Sequence, residues 1–250
     1  MIPVSGCVIA LNEEDRMERC LTSLDFCSEL LVLDSGSSDR TVAIARHLGA
    51  RVEHQDFLGH RRQKQRAVEL ATHDWIVSLD CDETAPPELA HALAQHLAEE
   101  PHDVVGFRVA RRNVYLGRAM RHGLFWPDRK LRVFDRRRAR WGGTDPHDRV
   151  ESTGAGRVVD LDVELLHDSY RSFAEHRATL DRFATIAARS MAAEGRRVGP
   201  LAPVAHASSA LFKGALLKLG ILDGWRGAVA AWMSACYDYR KYKRLRAMQS

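Results

Sequence analysis

The 250-residue sequence predicts an α/β fold: a mostly parallel central sheet flanked by helices, followed by a basic helical C-terminal region. Three observations predict it. The first hundred residues alternate short apolar runs with amphipathic stretches, the order that lays parallel strands beside crossover helices. The pattern then changes, after about residue 104, to longer runs broken by glycine turns. From Tyr170 onward the reading is helical and strongly basic.

In chain order, the strands are "VSGCVIAL" (4–11), "ELLVLD" (29–34), "ARVEH" (50–54) and "WIVSLD" (75–80). Helical patterns lie near 14–24, 39–48 and 60–72, and a fourth, opened by Pro86-Pro87, covers 86–99. "VVGFRVARRNVYLG" and "KLRVFDRRRARWGG" read as hairpin strands, with Gly117 and Gly142-Gly143 marking turns. "RVVDLDVELLH" (157–167) begins with the alternation of a strand. Helix follows over roughly 170–195, breaks at "GRRVGPLAP", and resumes over about 205–246.

Composition narrows the class. A chain with 45% hydrophobic and 28% charged residues has the make-up of an ordinary globular protein. No apolar run approaches the ~18 residues of a membrane span. "MIPVSGCVIALNEEDR" lacks the basic start and cleavage pattern of a secretory signal, so the chain is expected in the cytoplasm. Five cysteines without a CxxC pair read as reduced packing residues, Cys81 included. Net charge is +4, unevenly spread: residues 1–170 carry 23 Lys/Arg against 28 Asp/Glu, and residues 171–250 carry 14 against 5. That asymmetry points to an anionic surface as partner.

In parallel sheets ligands bind beyond the carboxyl ends of the strands, so the polar strand ends carry the chemistry. Asp80 and Asp82 are i and i+2 neighbours and are expected to face one point. Two carboxylates that close demand a cation, and Mg²⁺ or Mn²⁺ would supply it and recruit phosphates. The alternative is a solvated acidic turn. Asp34 ends a second strand before a Gly/Ser turn, with Asp39 as a helix cap. It either accepts hydrogen bonds from a nucleoside or merely satisfies its own turn. Asn12-Glu13-Glu14 ends a third strand.

The segments "VIALNEE", "VLDSGSSDRTVAIA" and "GHRRQKQRAVELATHDWIVSLDCDE" together resemble the family-2 glycosyltransferases of GT-A fold. "RRNVYLGRAMRHGLFWPDRKLRVFDR", "HDRVE", "LLHDSYRS" and "GILDGWRG" resemble the subgroup containing bacterial lipopolysaccharide-core β-1,4-glucosyltransferases. The resemblance spans about residues 4–245. It implies a metal-dependent inverting transfer of a hexose, glucose from UDP-glucose, onto a lipopolysaccharide inner-core acceptor. It further implies that the backbone around Leu11, with Glu13 and Asp34, holds the nucleoside. Lys64 would contact the donor, in a segment where relatives have Q-K-N and this chain has Gln65 in place of the asparagine. Asp80 would lie toward the ribose and metal, Asp82 would coordinate Mg²⁺ or Mn²⁺, and His167 would be a third ligand or a phosphate contact. Where relatives show V-H-E, this chain has Pro146-His147-Asp148; Asp148 is the expected base and Asp145 the second choice. The implied layout is a catalytic domain over 1–169, with a nucleotide-sugar half (1–103) and an acceptor half (104–169), then a helical region over 170–250.

Two further features are assigned a partner. Residues 108–140 hold twelve Lys/Arg and two acidic residues, which suits an anionic glycan acceptor. Nucleic acid is the rival, but no nucleic-acid module signature accompanies the cluster, and none is expected to bind. Apolar residues from Leu211 to Trp232, mixed with Lys213, Lys218 and Arg226, suit peripheral attachment to an anionic membrane at its cytoplasmic face. The remaining alternatives are a transferase with another donor or a polysaccharide or peptide acceptor, and a nucleotide- or nucleic-acid-binding protein without activity.

Overall fold

The structure, a computed structural model, describes residues 1–99, 103–144 and 147–249. The first hundred residues form the expected alternation: β1 (Ile2–Ala10), α1 (Glu14–Thr22), β2 (Cys27–Asp34), α2 (Thr41–His47), β3 (Arg51–His54), α3 (His60–Leu70) and β4 (Trp75–Asp80). Then come β5 (Glu83–Thr84), α4 (Pro87–Ala98), β6 (Val104–Tyr115), β7 (Arg118–Ala119), β8 (Arg129–Asp135), β9 (Ala139–Thr144), β10 (His147–Ser152) and β11 (Arg157–Tyr170). Three helices close the chain: α5 (Phe173–Ala193), α6 (Ala202–Phe212) and α7 (Trp225–Ala247).

The main sheet runs β3-β2-β1-β4-β8-β6-β11-β5, with β7 paired to β6. Its first four strands are parallel, and β8 joins β4 antiparallel, so the sheet is mixed, with a parallel half and an antiparallel half. Period-two alternation sends side chains to both faces. Val4 and Val8 of β1, Val32 of β2, and Val77 and Leu79 of β4 pack with Met17 and Leu21 of α1 and Leu89 and Leu93 of α4. Cys7, Leu31, Leu33 and Ile76 point the other way, onto Ala67 and Val68 of α3 and onto Trp141. Burial on both faces is why these strands read as nearly unbroken apolar runs. The register brings Ala10 beside Asp34 and Ile9 beside Asp80, so β1, β2 and β4 end together.

β9 and β10 form a separate two-stranded sheet. The chain divides into two compact units, residues 1–111 with 129–167, and residues 112–128 with 168–250. β11 extends to Tyr170, beyond the strand expected over 157–167 and up to the first residue of the expected helix. The single helix expected over 205–246 is instead α6, a π turn at Lys213–Leu217, a 3-10 turn at Gly220–Asp223, and α7. The break has a backbone cause. Leu219 has φ 56° and Gly224 has φ 68°, values that end a right-handed helix. Gly220 and Gly227 are in such close backbone contact that a Cβ on Gly227 would fall 1.7 Å from the Gly220 carbonyl oxygen.

Candidate active site

The strand ends of the first unit are stitched by short polar contacts. The Asp34 carboxylate accepts hydrogen bonds from the backbone N–H groups of Gly36 (2.9 Å) and Ser37 (3.0 Å) and from the Ser37 hydroxyl (2.5 Å). Gly36, at φ 97°, supplies the left-handed residue that this turn requires. Asn12 Oδ1 accepts from the Ser38 N–H at 2.8 Å, and the Glu13 N–H donates to Thr41 Oγ1 at 2.7 Å. Leu11, half exposed, and Glu13, paired with Arg16 at 3.3 Å, stand beside this turn. Three of the expected nucleoside-side residues thus share one edge of the sheet, with Asp34 shaping the turn.

Asp80 ends β4, and the turn that follows separates it from Asp82. The two carboxylates therefore acquire different partners. Asp80 Oδ1 accepts from Lys64 Nζ at 2.8 Å, and Asp80 Oδ2 from Arg132 Nη2 at 2.9 Å. Lys64 Nζ also donates to Asp148 Oδ2 at 2.9 Å. Arg132 Nη2 reaches Glu83 Oε1 at 2.6 Å, and Arg111 Nη1 reaches the same oxygen at 3.1 Å. The Trp141 ring lies under both cations, 4.6 Å from Lys64 Nζ and 5.7 Å from the Arg132 guanidinium carbon. Asp82 is different: His167 Nε2 sits 3.2 Å from Oδ2, while Oδ1 is buried without a hydrogen-bond partner.

The charges explain the protonation states. Burial alone would push the Asp80 carboxyl up, but Lys64 and Arg132 outweigh it and hold it well below the usual carboxylate range. Burial likewise opposes the Lys64 charge, and Asp80 and Asp148 overcome it, so the ammonium is held more tightly than usual. Asp82 is lowered against the cost of burial by its hydrogen bond from His167. Cys81, between the two aspartates, donates its thiol to the Ile9 carbonyl at 3.3 Å, and burial pushes its pKa far up. It packs, as its position in the sequence implies.

Four carboxylates (Asp80, Asp82, Glu83, Asp148) meet three cations (Lys64, Arg111, Arg132), a formal −1 before His167 is counted. Among the described residues no three His, Cys, Asp or Glu side chains form a complete cage for an ion. The unused oxygen of Asp82 nevertheless fits a hard divalent cation, which prefers oxygen donors, and the His167 imidazole beside it is the softer and weaker donor of the two. Asp145 lies outside the described residues.

Sequence reasoning missed Glu83, Arg111, Arg132, Trp141 and Gln63. Gln63 is fully buried and donates to Ser35 Oγ and to the Gln55 carbonyl, both at 3.0 Å, tying α3 to the β2 strand end. Gln65 Oε1 accepts the Trp141 N–H at 3.0 Å and ties α3 to β9. Much of the basic cluster in the first unit is also spoken for. Arg108 pairs with Asp160 at 2.7 Å, Arg137 with Asp135 at 2.7 Å, and Arg136 donates to the carbonyls of Val68 and Ala71.

Comparison with known proteins places these residues in context. Residues 5–163 match the family described as Glycosyl transferase family 2. The chain is 27% identical, over 96% of its length and 93% of the relative's, to the lipopolysaccharide core biosynthesis glycosyltransferase LpsC of Rhizobium meliloti. It is 25% identical to an uncharacterized glycosyltransferase of Rickettsia bellii, over 98% of this chain and 86% of that one. Among solved structures it is similar to glucosyl-3-phosphoglycerate synthase from Mycobacterium tuberculosis, 26% identical over 45% of this chain and 44% of that one, with a TM-score of 0.37.

Proposed function

This chain belongs to glycosyl transferase family 2, and from that premise we propose that it is a metal-dependent inverting hexosyltransferase acting on a lipopolysaccharide inner-core acceptor. UDP-glucose is the donor we assign. The observation that carries the metal reading is Asp82, whose buried Oδ1 lacks a partner beside His167. Support for the acceptor class comes from the similarity to LpsC along nearly the whole chain.

In this reading the nucleoside lies against the Leu11 backbone, Glu13 and the turn that Asp34 holds. Asp80 stands toward the ribose, with its charge balanced by Lys64 and Arg132. A divalent cation held by Asp82 and His167, with Asp80 nearby, would supply positive charge to the departing nucleoside diphosphate. Asp148 takes the proton from the acceptor hydroxyl as its oxygen bonds to the anomeric carbon and the bond to the diphosphate breaks. Asp145 is the alternative base. Asp148 is placed by β10 and by its contact with Lys64.

The acceptor is met at the inner face of the cytoplasmic membrane, where the protein attaches peripherally. Among the described residues no helix is long and apolar enough to cross a membrane.

A thermal-shift screen of UDP-, GDP- and ADP-sugars with Mg²⁺ or Mn²⁺ tests the donor and metal together, followed by transfer to truncated lipopolysaccharide cores. UDP-glucose with Mn²⁺ should raise Tm in the wild-type chain, and Asp82→Asn should lose the metal-dependent part of that rise. An equal shift in the variant, or one indifferent to metal, removes the metal site.

A further inference from the structure

We propose that Lys64 is a positioning residue whose ammonium ties Asp80, at the end of β4, to Asp148 on β10 and thereby aims the Asp148 carboxylate at the acceptor. This rests on the reading of Asp148 as the base. It differs from the role in donor contact that the resemblance implies for Lys64.

The lysine head is almost enclosed: its side chain is 9% exposed, two carboxylate oxygens lie within 2.9 Å, and the Trp141 face lies 4.6 Å away. An ammonium has three N–H donors. Two are committed to carboxylates, and the aromatic face borders the remaining side. To bind a phosphate directly, Lys64 would have to abandon one of these contacts.

Topology makes the tie matter. β10 is paired with β9 in its own two-stranded sheet, separate from the sheet that carries Asp80. Ala139, Trp141 and Val150 pack this ribbon into the core beside α3, so packing holds the strands. The aim of the Asp148 carboxylate is left to side-chain ties, of which α3 supplies two. Gln65 fixes the Trp141 backbone, and Lys64 fixes the Asp148 side chain. Gln63 anchors the same turn of α3 to the β2 strand end, so the lysine stem springs from a held backbone. Arg132, on the other oxygen of Asp80, keeps that carboxylate from turning away. The result is a line of alternating charge, Arg132–Asp80–Lys64–Asp148, running from β8 through β4 and α3 to β10. A general base displaced by about 1 Å costs on the order of 100-fold in rate, which is the loss expected when this line is cut.

The test is a cycle of full-length variants: Lys64→Met, Lys64→Arg, Asp148→Asn, and Lys64→Met with Asp148→Asn. UDP-glucose transfer to a truncated lipopolysaccharide core gives kcat and the donor KM, and calorimetry gives the Kd for UDP with Mn²⁺. Lys64→Met should lower kcat by about 100-fold with donor KM and UDP Kd changed less than about threefold. Lys64→Arg, which keeps the charge, should recover part of the loss. The double variant should transfer no more slowly than Asp148→Asn alone, because Lys64 acts through Asp148. Losses that multiply in the double variant, or a weakened UDP Kd at unchanged kcat, overturn the proposal. Full transfer by Asp148→Asn instead sinks the base reading, and that result is seen before Lys64 is altered. If Lys64→Met does not fold, Lys64→Gln enters the same cycle. Melting temperatures of the four chains need no donor: non-additive losses support the tie, and additive ones count against it.

Discussion

Glu83 has no exposed surface, and three groups converge on its carboxylate: Arg132, Arg111 and the Asp80 N–H, the last donating to Oε2 at 3.2 Å. Removing one partner of a buried ion pair leaves the other charges uncompensated, at a cost of about 3–5 kcal/mol. Glu83→Gln keeps the shape and removes the charge, so it should destabilise the protein by about 3 kcal/mol in urea unfolding, before any question of activity. A change below about 0.5 kcal/mol would mean that the arginines find other acceptors. The same residues show what could be read from sequence and what could not. Asp80 and Asp82 stand out because a strand end and its turn put charge where apolar residues stop, whereas Asp148 is picked out only by the resemblance of Pro146-His147-Asp148 to the V-H-E of relatives. Glu83 looks like one more acid in that turn. Arg132 looks like one of twelve basic residues between 108 and 140, and only the antiparallel register of β8 against β4 turns it inward. Pairings across fifty residues of sequence leave no local signal. Lys64 was visible as a motif residue, but its pairing with Asp80 and Asp148 was not.

At the scale of elements, the segment from α6 to the start of α7 departs most from a simple helix. Leu201, Val204, Phe212, Leu216, Leu217, Leu219, Ile221, Leu222 and Trp225 are all exposed large apolar side chains. Between residues 196 and 237 the only acidic residue is Asp223, which is buried and accepts the N–H groups of Arg121 and His122 at 3.0 and 2.8 Å. Arg196, Arg197, Lys213, Lys218 and Arg226 meet no exposed carboxylate within that stretch. A stretch of exposed apolar side chains interspersed with cations suits anionic lipid headgroups. The left-handed Leu219 and the glycines around it break the helix just where these side chains fan outward. That break was not readable, because Leu is a poor sequence signal for positive φ. Burying one leucine in the acyl boundary stabilises binding by about 1.5–3 kcal/mol. Replacing Leu217 and Leu222 together by serine should therefore weaken partitioning to phosphatidylglycerol vesicles by more than tenfold, with Tm unchanged. Wild-type binding should also weaken as salt rises. Equal partitioning of the variant would make the surface a site for something other than lipid.

Over the whole molecule, the two units respond to acid through different groups. In the second unit His176 on α5 is buried, stacked on Tyr170 with ring centroids 3.9 Å apart, and hydrogen-bonded through Nδ1 to the Tyr115 hydroxyl at 2.9 Å. Burial pushes its pKa down to about 4, against a small upward pull from Glu175. The unfolded chain, with histidine near 6.5, binds the proton first, so this unit loses stability as pH falls from about 6.5 to about 4. The full effect is of order 3 kcal/mol. In the first unit Asp80 is depressed below its unfolded value by Lys64 and Arg132, so its contribution is complete above about pH 4 and fades only below it. Acid should therefore weaken the second unit first. Urea unfolding followed between pH 7 and pH 4 should show a midpoint that falls with pH, and His176→Gln should flatten that slope while leaving the decline below pH 4 in place. An unchanged slope in the variant would assign the loss to other groups. Near pH 5 the Asp80 charge therefore stays paired with Lys64 and Arg132 while protonation of the unfolded chain at His176 has already drawn down the stability of the second unit.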